Sequence, residues 1–386
     1  MSSSRPNARD PLSTIGAIVA LGAVSVASFN IQPMYLGALA DHLGFNAEQL
    51  GLIAGAEVAG SALAGIAATQ WVRRWPWRRM ALLALVALVT GNTVAALISD
   101  FGTLIAIRFM TGFFGIGTGY ALAIAALSDT VKTERNFSIA IVAQVILAMI
   151  GFTWLPSAIG AYGVAAVFLP LAIISLLVIP SLRYLPLTGL GRATPVNRGA
   201  VAPPAAIWLA LGCQFVWYLG LGGVWAFVER IGAQAGISPQ EVGNALALGM
   251  FVGLGGALMA AVIGNRFGRV LPFALAMLGQ VIAITLLRDL QSPPLLIFAI
   301  CLYNGSWNFA LPYLFATAAM SDTRGKRVVL MSTAQALGLT LGAATAGMVI
   351  GQFGLVAVTY QGAGSALAAL AAFLILALML HRARQR

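Results

Sequence analysis

The sequence predicts an all-α integral membrane protein with twelve transmembrane helices arranged in two similar six-helix halves. Three observations support this prediction: the composition, the distribution of Lys and Arg, and an internal repeat. Sixty per cent of the 386 residues are apolar and only 9% are charged, whereas a soluble domain carries about a quarter charged residues. The chain cannot cover its surface with polar groups, so we expect lipid to be its solvent.

Twelve apolar runs define the predicted spans. Each is long enough, at about 1.5 Å per residue, for a helix to cross a bilayer. The first run is longer than the apolar core of a signal peptide and has a counterpart in the second half, so we expect it to be retained. The predicted limits lie near 14–40, 50–70, 80–98, 103–127, 138–160, 162–182, 205–228, 241–263, 271–287, 294–319, 328–350 and 356–380.

The basic residues follow the topology. When the connecting segments are assigned alternately to the two sides of a membrane, one side collects 19 Lys and Arg residues and the other only Arg230 and Arg288. Cytoplasmic loops are enriched in Lys and Arg, so we expect both termini in the cytoplasm and the chain in a bacterial-type inner membrane. The net charge of +11 then needs no nucleic-acid partner.

The chain also repeats itself. "LGFNAEQLG" at 43–51 resembles "AGISPQEVG" at 235–243, and "LSDT" at 127–130 returns as "MSDT" at 320–323. Two unrelated loops with nearly the same offset indicate duplication of a six-helix unit. We therefore predict a first half, a cytoplasmic linker rich in Pro, Gly and Arg, and a second half with the limits 1–182, 183–204 and 205–386.

No sequence feature indicates enzyme chemistry. Cys213 and Cys301 lie within apolar runs, and His42 and His381 lie at segment ends. These positions suggest neither a disulfide framework nor a metal site, and no nucleophile motif is present. We expect no enzyme activity, no cofactor and no metal.

This architecture resembles the major facilitator superfamily of secondary transporters. Arg108 followed by Gly112, Gly115 and Gly119 is similar to the family's fourth-helix motif. "GNRFGR" at 264–269 resembles its loop between helices 8 and 9, with Asn where Asp is usual, whereas the matching loop "QWVRRWPWRR" lacks the Asp and its Gly. The resemblance implies a gating role for these two loops, through Arg73, Arg74, Asn265, Arg266, Gly268 and Arg269.

Arg108 and Glu57 are the only charges well inside the predicted spans. Positions +4, +7 and +11 from Arg108 are the three glycines of the motif, so this face is expected to pack against protein. An unpaired Arg at membrane depth costs at least about 2.5–3.5 kcal/mol. Because Glu57 lies at a similar depth from the same side, we predict an ion pair.

The predicted pair suggests a coupling chemistry. A carboxylate that loses its Arg partner in a dry site takes up a proton, because desolvation disfavours the charged form. Protonation of Glu57 would then release Arg108 for an anionic group of the substrate. The alternative is a structural ion pair that only fixes the second and fourth spans.

The resemblance implies that spans 1, 4, 7 and 10 line a central cavity. Pro33 predicts a kink in the first span. Aromatic residues in membrane helices also serve in packing and interfacial belts, and we assign Trp225 to a belt. Besides Arg108, the predicted substrate contacts are Asn30, Gln32, Gln144, Gln214, Trp217, Tyr218, Tyr303, Asn304, Trp307, Asn308 and Gln335.

These observations lead us to expect a proton-coupled transporter of a small organic solute that works as a monomer in the lipid bilayer by alternating access. An organic acid with an apolar or aromatic body is the favoured substrate. The alternative is efflux of amphipathic cations by proton antiport, with Glu57 serving the cation and Arg108 as structural support. A non-transporting membrane sensor ranks third, because it would need an appended cytoplasmic domain or a long tail.

Overall fold

The computed structural model describes residues 11–188, 203–321 and 330–385. Within these ranges twelve helical spans are long and apolar enough to cross a membrane, which confirms the predicted number. The helices are α1 (Leu12–Asn30), α2 (Gln32–Leu43), α3 (Ala47–Trp71), α4 (Trp77–Leu97), α5 (Phe101–Met110), α6 (Thr118–Ser128), α7 (Thr133–Tyr162), α8 (Ala165–Val178), α9 (Pro204–Gln234), α10 (Pro239–Ile263), α11 (Val270–Arg288), α12 (Pro293–Ser321), α13 (Leu330–Phe353) and α14 (Ala357–Gln385).

The first span is interrupted between α1 and α2. Pro33 has no N–H to donate to the carbonyl of Phe29, and its ring clashes with that carbonyl in a continuous helix. The chain therefore leaves helical geometry at Ile31, where φ is −99° and ψ is 15°. The kink predicted at Pro33 is present, but it lies two residues earlier.

The fourth span contains a π-helical segment, Thr111–Gly117, between α5 and α6. A π-helix closes each hydrogen bond one residue later than an α-helix, so the side-chain faces rotate along the segment. The prediction that Gly112, Gly115 and Gly119 share one packed face is therefore wrong. They pack, in chain order, against Glu57 of α3, Leu88 of α4 and Ser25 of α1.

The two sides of the membrane differ in their loops. The connections at 72–76, 129–132 and 264–269 carry basic residues, and we call this side the basic side. The connections at 44–46 and 235–238 lie on the opposite side. Contacts between α3 and α13, between α7 and α10, and between α2 and α9 join the two halves.

Glycines bring the two halves together near the opposite side. A Cβ atom on Gly51 of α3 would collide with the carbonyl of Ala343 in α13, and one on Gly243 of α10 would collide with the carbonyl of Phe152 in α7. Gly347 of α13 is likewise packed against the start of α3. The backbones touch here because no side chain separates them.

The internal repeat is visible in the packing. At an offset of 192 residues, Glu57 and Arg108 correspond to Gly249 of α10 and Ile300 of α12, and the latter two are also in contact. The second half therefore has an apolar contact where the first half has two charges. Part of the predicted linker, residues 189–202, lies outside the described residues, so the domain limits stay a prediction.

The close approach of α3 to the fourth span generates a stability prediction. An added Cβ on Gly60 would collide with the backbone of Phe109 and Phe113, whereas Gly65 on the same helix has nothing within 4 Å. Overpacking costs about 1–3 kcal/mol, so Gly60→Ala should lower the melting temperature of the purified protein. Gly65→Ala should leave it unchanged or raise it slightly. Equal melting temperatures for both variants would contradict this packing.

Candidate functional site

Arg108 of α5 and Glu57 of α3 form an ion pair in the membrane interior. The side chain of Arg108 is 0% exposed and that of Glu57 is 1% exposed. The Nε of Arg108 donates to Oε2 of Glu57 at 3.0 Å, and Nη2 donates to the same oxygen. The contact expected from the two isolated charges is therefore present, and each charge is neutralised where neither water nor lipid reaches it.

Three further helices hold this pair through polar groups. Arg108 donates from Nη1 to Oδ1 of Asn92 in α4 at 2.9 Å and from Nη2 to Oγ of Ser28 in α1 at 2.6 Å. The Ser28 hydroxyl in turn donates to Oε1 of Glu57 at 2.7 Å, and the Tyr35 hydroxyl of α2 donates to Oε2 at 3.0 Å. Each guanidinium nitrogen and each carboxylate oxygen thus has a partner.

Aromatic rings cover the guanidinium. The Cζ of Arg108 lies 5.0 Å from the ring centroid of Phe168 in α8 and 5.6 Å from that of Tyr35, within the range of a cation–π contact. Gln32 donates to the Tyr35 hydroxyl at 3.4 Å. Arg108 is enclosed in this conformation, so a direct contact with substrate requires the ion pair to open.

Sequence reasoning missed most of the shell around the pair. Asn92 is a buried amide within the apolar run 80–98, and that isolation was a usable signal. Ser28, Tyr35 and Phe168 gave none, because hydroxyl and aromatic residues are ordinary in membrane helices. Their role follows only from tertiary packing.

An aromatic cluster joins the two halves. The indole N–H of Trp307 in α12 donates to the Tyr218 hydroxyl of α9 at 2.9 Å. Trp307 also lies 6.3 Å from Trp225, whose ring is 6.2 Å from Phe152 of the first half. Trp225 donates at 3.4 Å to the carbonyl of Phe29, which has no N–H partner at Pro33. It is 3% exposed, so its assignment to an interfacial belt is wrong.

Two predicted substrate residues of α9 are enclosed by the second half. Trp217 is 1% exposed, donates to Oε1 of Gln280 in α11 at 2.7 Å and packs against Phe273. Gln214 is buried and donates to Oε1 of Gln335 in α13 at 3.3 Å. Both side chains therefore contact protein in this conformation, because α9 turns this face toward its own half.

Predicted residues of α12 are divided between two faces. Asn304 and Asn308 lie beside Gly249 and Gly253 of α10, where each amide donates to a backbone carbonyl of its own helix. The Tyr303 hydroxyl donates to a backbone carbonyl of α9 at 3.2 Å. Trp307 thus faces α9, whereas the two amides face α10.

Five predicted substrate residues keep partly exposed side chains, and they come from four different spans. Gln32, Tyr218, Tyr303 and Asn304 are by contrast buried. Two of the five partly exposed residues, Asn30 and Gln144, belong to the first half and the other three belong to the second. The half-buried residues are Asn30, Gln144, Trp307, Asn308 and Gln335.

A second buried acidic group lies near the opposite side. The predicted seventh span stopped at residue 228, but α9 continues to Gln234 and places Glu229 inside the protein. Glu229 pairs with Arg230, which also binds Asp41 of α2. The prediction that Arg108 and Glu57 are the only charges well inside the spans is therefore wrong.

Comparison with known proteins identifies the family. The sequence profile described as Major Facilitator Superfamily matches residues 17–214, just over half of the chain. The chain belongs to the Major Facilitator Superfamily. The family comprises transporters and not enzymes, which agrees with the twelve-span helical fold.

Solved transporter structures share this superfamily fold. A mutant of the nucleoside transporter NupG has a TM-score of 0.75 at 12% identity, over 94% of this chain and 99% of its own. A bacterial homologue of the human lysosomal transporter Spinster, in an inward-facing and unoccupied conformation, has a TM-score of 0.70 at 16% sequence identity, over 99% of this chain and 98% of its own. The human organic anion transporter MFSD10 (TETRAN) has a TM-score of 0.62 at 17% sequence identity, over 94% of this chain and 99% of its own. No curated protein sequence matches the chain significantly.

The predicted gating residues lie in two loops on the basic side, at 72–76 and 264–269. Nη1 of Arg73 lies 2.6 Å from Oδ2 of Asp129, which directly follows α6. This ion pair joins the second and fourth spans although the loop lacks the family's Asp. Gly268 adopts a left-handed φ of 69°. Arg74, Asn265 and Arg266 are exposed, and Arg269 is half-buried beside Met320.

The enclosed ion pair generates a prediction for a double-variant experiment. Glu57→Leu leaves a buried guanidinium without its counter-charge, which typically costs about 3–5 kcal/mol. The melting temperature of purified Glu57→Leu should therefore fall strongly, and adding Arg108→Leu should restore part of the loss. A double variant that melts below the single variant would contradict the view that the unpaired charge dominates.

Proposed function

We propose that this chain is a proton-coupled secondary transporter of a small organic solute, with Glu57 and Arg108 as the coupling site. The observation that supports the proposal is the fully enclosed ion pair and its shell of Ser28, Asn92 and Tyr35. Ionisable residues inside a membrane are costly and usually functional. The three neutral groups satisfy the remaining hydrogen-bonding positions of the two side chains, as a buried ion pair requires.

The shell suggests how a proton could open the pair. Protonation of Glu57 removes the counter-charge of Arg108, while the hydrogen bonds from Arg108 to Asn92 and Ser28 need no charge on Glu57. The guanidinium then requires another anion, because an unpaired buried cation is unfavourable. A carboxylate of the substrate would take that place, so one proton and one monoanion would be bound together.

The packing of the two halves suggests from which side of the membrane a solute could enter between them. If the basic side is cytoplasmic, as the distribution of Lys and Arg favours, both termini lie in the cytoplasm and the opposite side is the outer side. The glycine contacts of Gly51, Gly243 and Gly347 close the halves at that outer side. We therefore propose an inward-facing state of a monomer in a bacterial-type inner membrane.

The second half suggests the body of the solute. Trp307 is half-buried beside a cluster of rings, and ligand sites commonly combine apolar or aromatic walls with a few polar groups. Asn30, Gln144 and Gln335 would supply those polar groups from other helices. An organic acid with an apolar or aromatic body fits a site with Arg108 in one half and Trp307 in the other.

Substitution of Glu57 tests the coupling. Glu57→Gln imitates the protonated side chain, so proton-driven uptake into proteoliposomes should be lost while exchange of substrate across the membrane without a gradient continues. Glu48→Gln is the matched control, because Glu48 is an exposed carboxylate on the same helix. Proton-driven uptake that is equal in Glu57→Gln and the control would refute the coupling role.

A panel of ligands tests the substrate class. Ligands that bind the folded state raise its melting temperature, so small aromatic acids should stabilise the purified protein, more at acidic than at neutral pH. The shift should disappear in Arg108→Gln measured against its own ligand-free baseline. Stabilisation by amphipathic cations alone would instead support proton antiport of cationic compounds.

A further inference from the structure

The outer side carries an ion pair that joins the two halves. Arg230 of α9 donates from Nη1 to Oδ1 of Asp41 in α2 at 2.6 Å and from Nη2 to Oδ2 at 2.9 Å. Two parallel hydrogen bonds between a guanidinium and a carboxylate are strong and fix the relative orientation of the two groups. Because Asp41 belongs to the first half and Arg230 to the second, the pair can form only while the outer side is closed.

Arg230 has a second acidic partner on its own helix. Its Nη2 also donates to Oε1 of Glu229 at 2.7 Å, and its Nε donates to Oε2. Glu229 is buried against α2, where a Cβ atom on Gly37 would collide with its carboxylate. The missing side chain of Gly37 thus makes room for Glu229 in the closed state.

The two carboxylates would behave differently when the halves separate. Asp41 moves with α2, so its hydrogen bonds to Arg230 must break. Glu229 is the sequence neighbour of Arg230 on α9 and moves with it. Arg230 therefore retains an anionic partner in the open state, and the cost of an unpaired cation is avoided.

We propose that Asp41 and Arg230 form a latch that holds the outer side closed, and that Glu229 keeps Arg230 neutralised when the latch opens. The neighbouring contacts across the outer side are uncharged: Trp225 donates to the Phe29 carbonyl, and Gln240 contacts Ser157. These hydrogen bonds contribute to closure, but their groups are neutral, so breaking them leaves no unpaired charge. The latch is separate from the pair at Glu57 and Arg108.

The outer side also offers a matched control for the latch. Arg288 and Asp289 are sequence neighbours at the end of α11 and form an ion pair at 2.7 Å. Hydrogen bonds from Arg288 lower the pKa of the Asp289 carboxyl, so the two groups interact. Both belong to the second half, however, and their pair does not have to break when the outer side opens.

The latch can be tested by measuring the distance between the halves. Spin labels on Glu48→Cys and Gln352→Cys, two exposed positions at the outer ends of α3 and α13, would report opening in double electron–electron resonance experiments. The full chain in lipid nanodiscs would carry Cys213→Ala and Cys301→Ala so that only the two reporters are labelled. The measurement uses neither substrate nor a proton gradient, so its outcome is independent of the proposed coupling.

The proposed latch predicts which variants increase the outer-open fraction and which do not. Asp41→Asn should raise the ratio of outer-open to outer-closed molecules about two- to fivefold, the range for an ion pair with one partner in water. Asp41→Glu and Asp289→Asn should match the unaltered chain, and Glu229→Gln should not increase the open fraction. An unchanged ratio in Asp41→Asn, or an equal rise in Asp289→Asn, would overturn the latch. A rise in Glu229→Gln as large as that in Asp41→Asn would overturn the role of Glu229.

Discussion

A guanidinium buried in a membrane protein must be neutralised and fully hydrogen-bonded, and the first half is organised around this requirement at Arg108. Its partners come from α1, α3 and α4, and rings from α2 and α8 cover its faces. Removal of α1, α3 or α4 would leave a charge or a polar group without its partner. The same interaction that stabilises these helices against one another therefore also contains the proposed proton site.

The two halves share a fold but differ in their chemistry. The corresponding place in the second half is a contact between Gly249 and the apolar side chain of Ile300, and Trp225 beside Trp307 packs against Phe152 of the first half. In the proposed mechanism, the first half handles charge and the second half binds the body of the solute. Such a division needs the halves to move as units, and the glycine contacts between their helices allow them to meet without interlocking side chains.

The properties predicted well from the sequence were local. Twelve apolar runs gave twelve spans, and the one acidic residue well inside the predicted spans of the first half identified the partner of Arg108. The π-helical turn after Arg108 was not predictable, because it depends on how α5 and α6 pack against neighbouring helices. Glu229 was missed because the apolar run ends before the helix does. Trp225 was misassigned because a belt and an interface between halves have the same local sequence.

The most direct test of the account is to observe the proton on Glu57. Infrared difference spectra of the reconstituted protein, recorded on addition of a transported acid, should show a new carboxylic-acid C=O stretching band. This band should be absent in Glu57→Gln and present in Glu48→Gln. Binding of the acid without such a band, or an identical band in Glu57→Gln, would contradict the claim that protonation of Glu57 opens the ion pair.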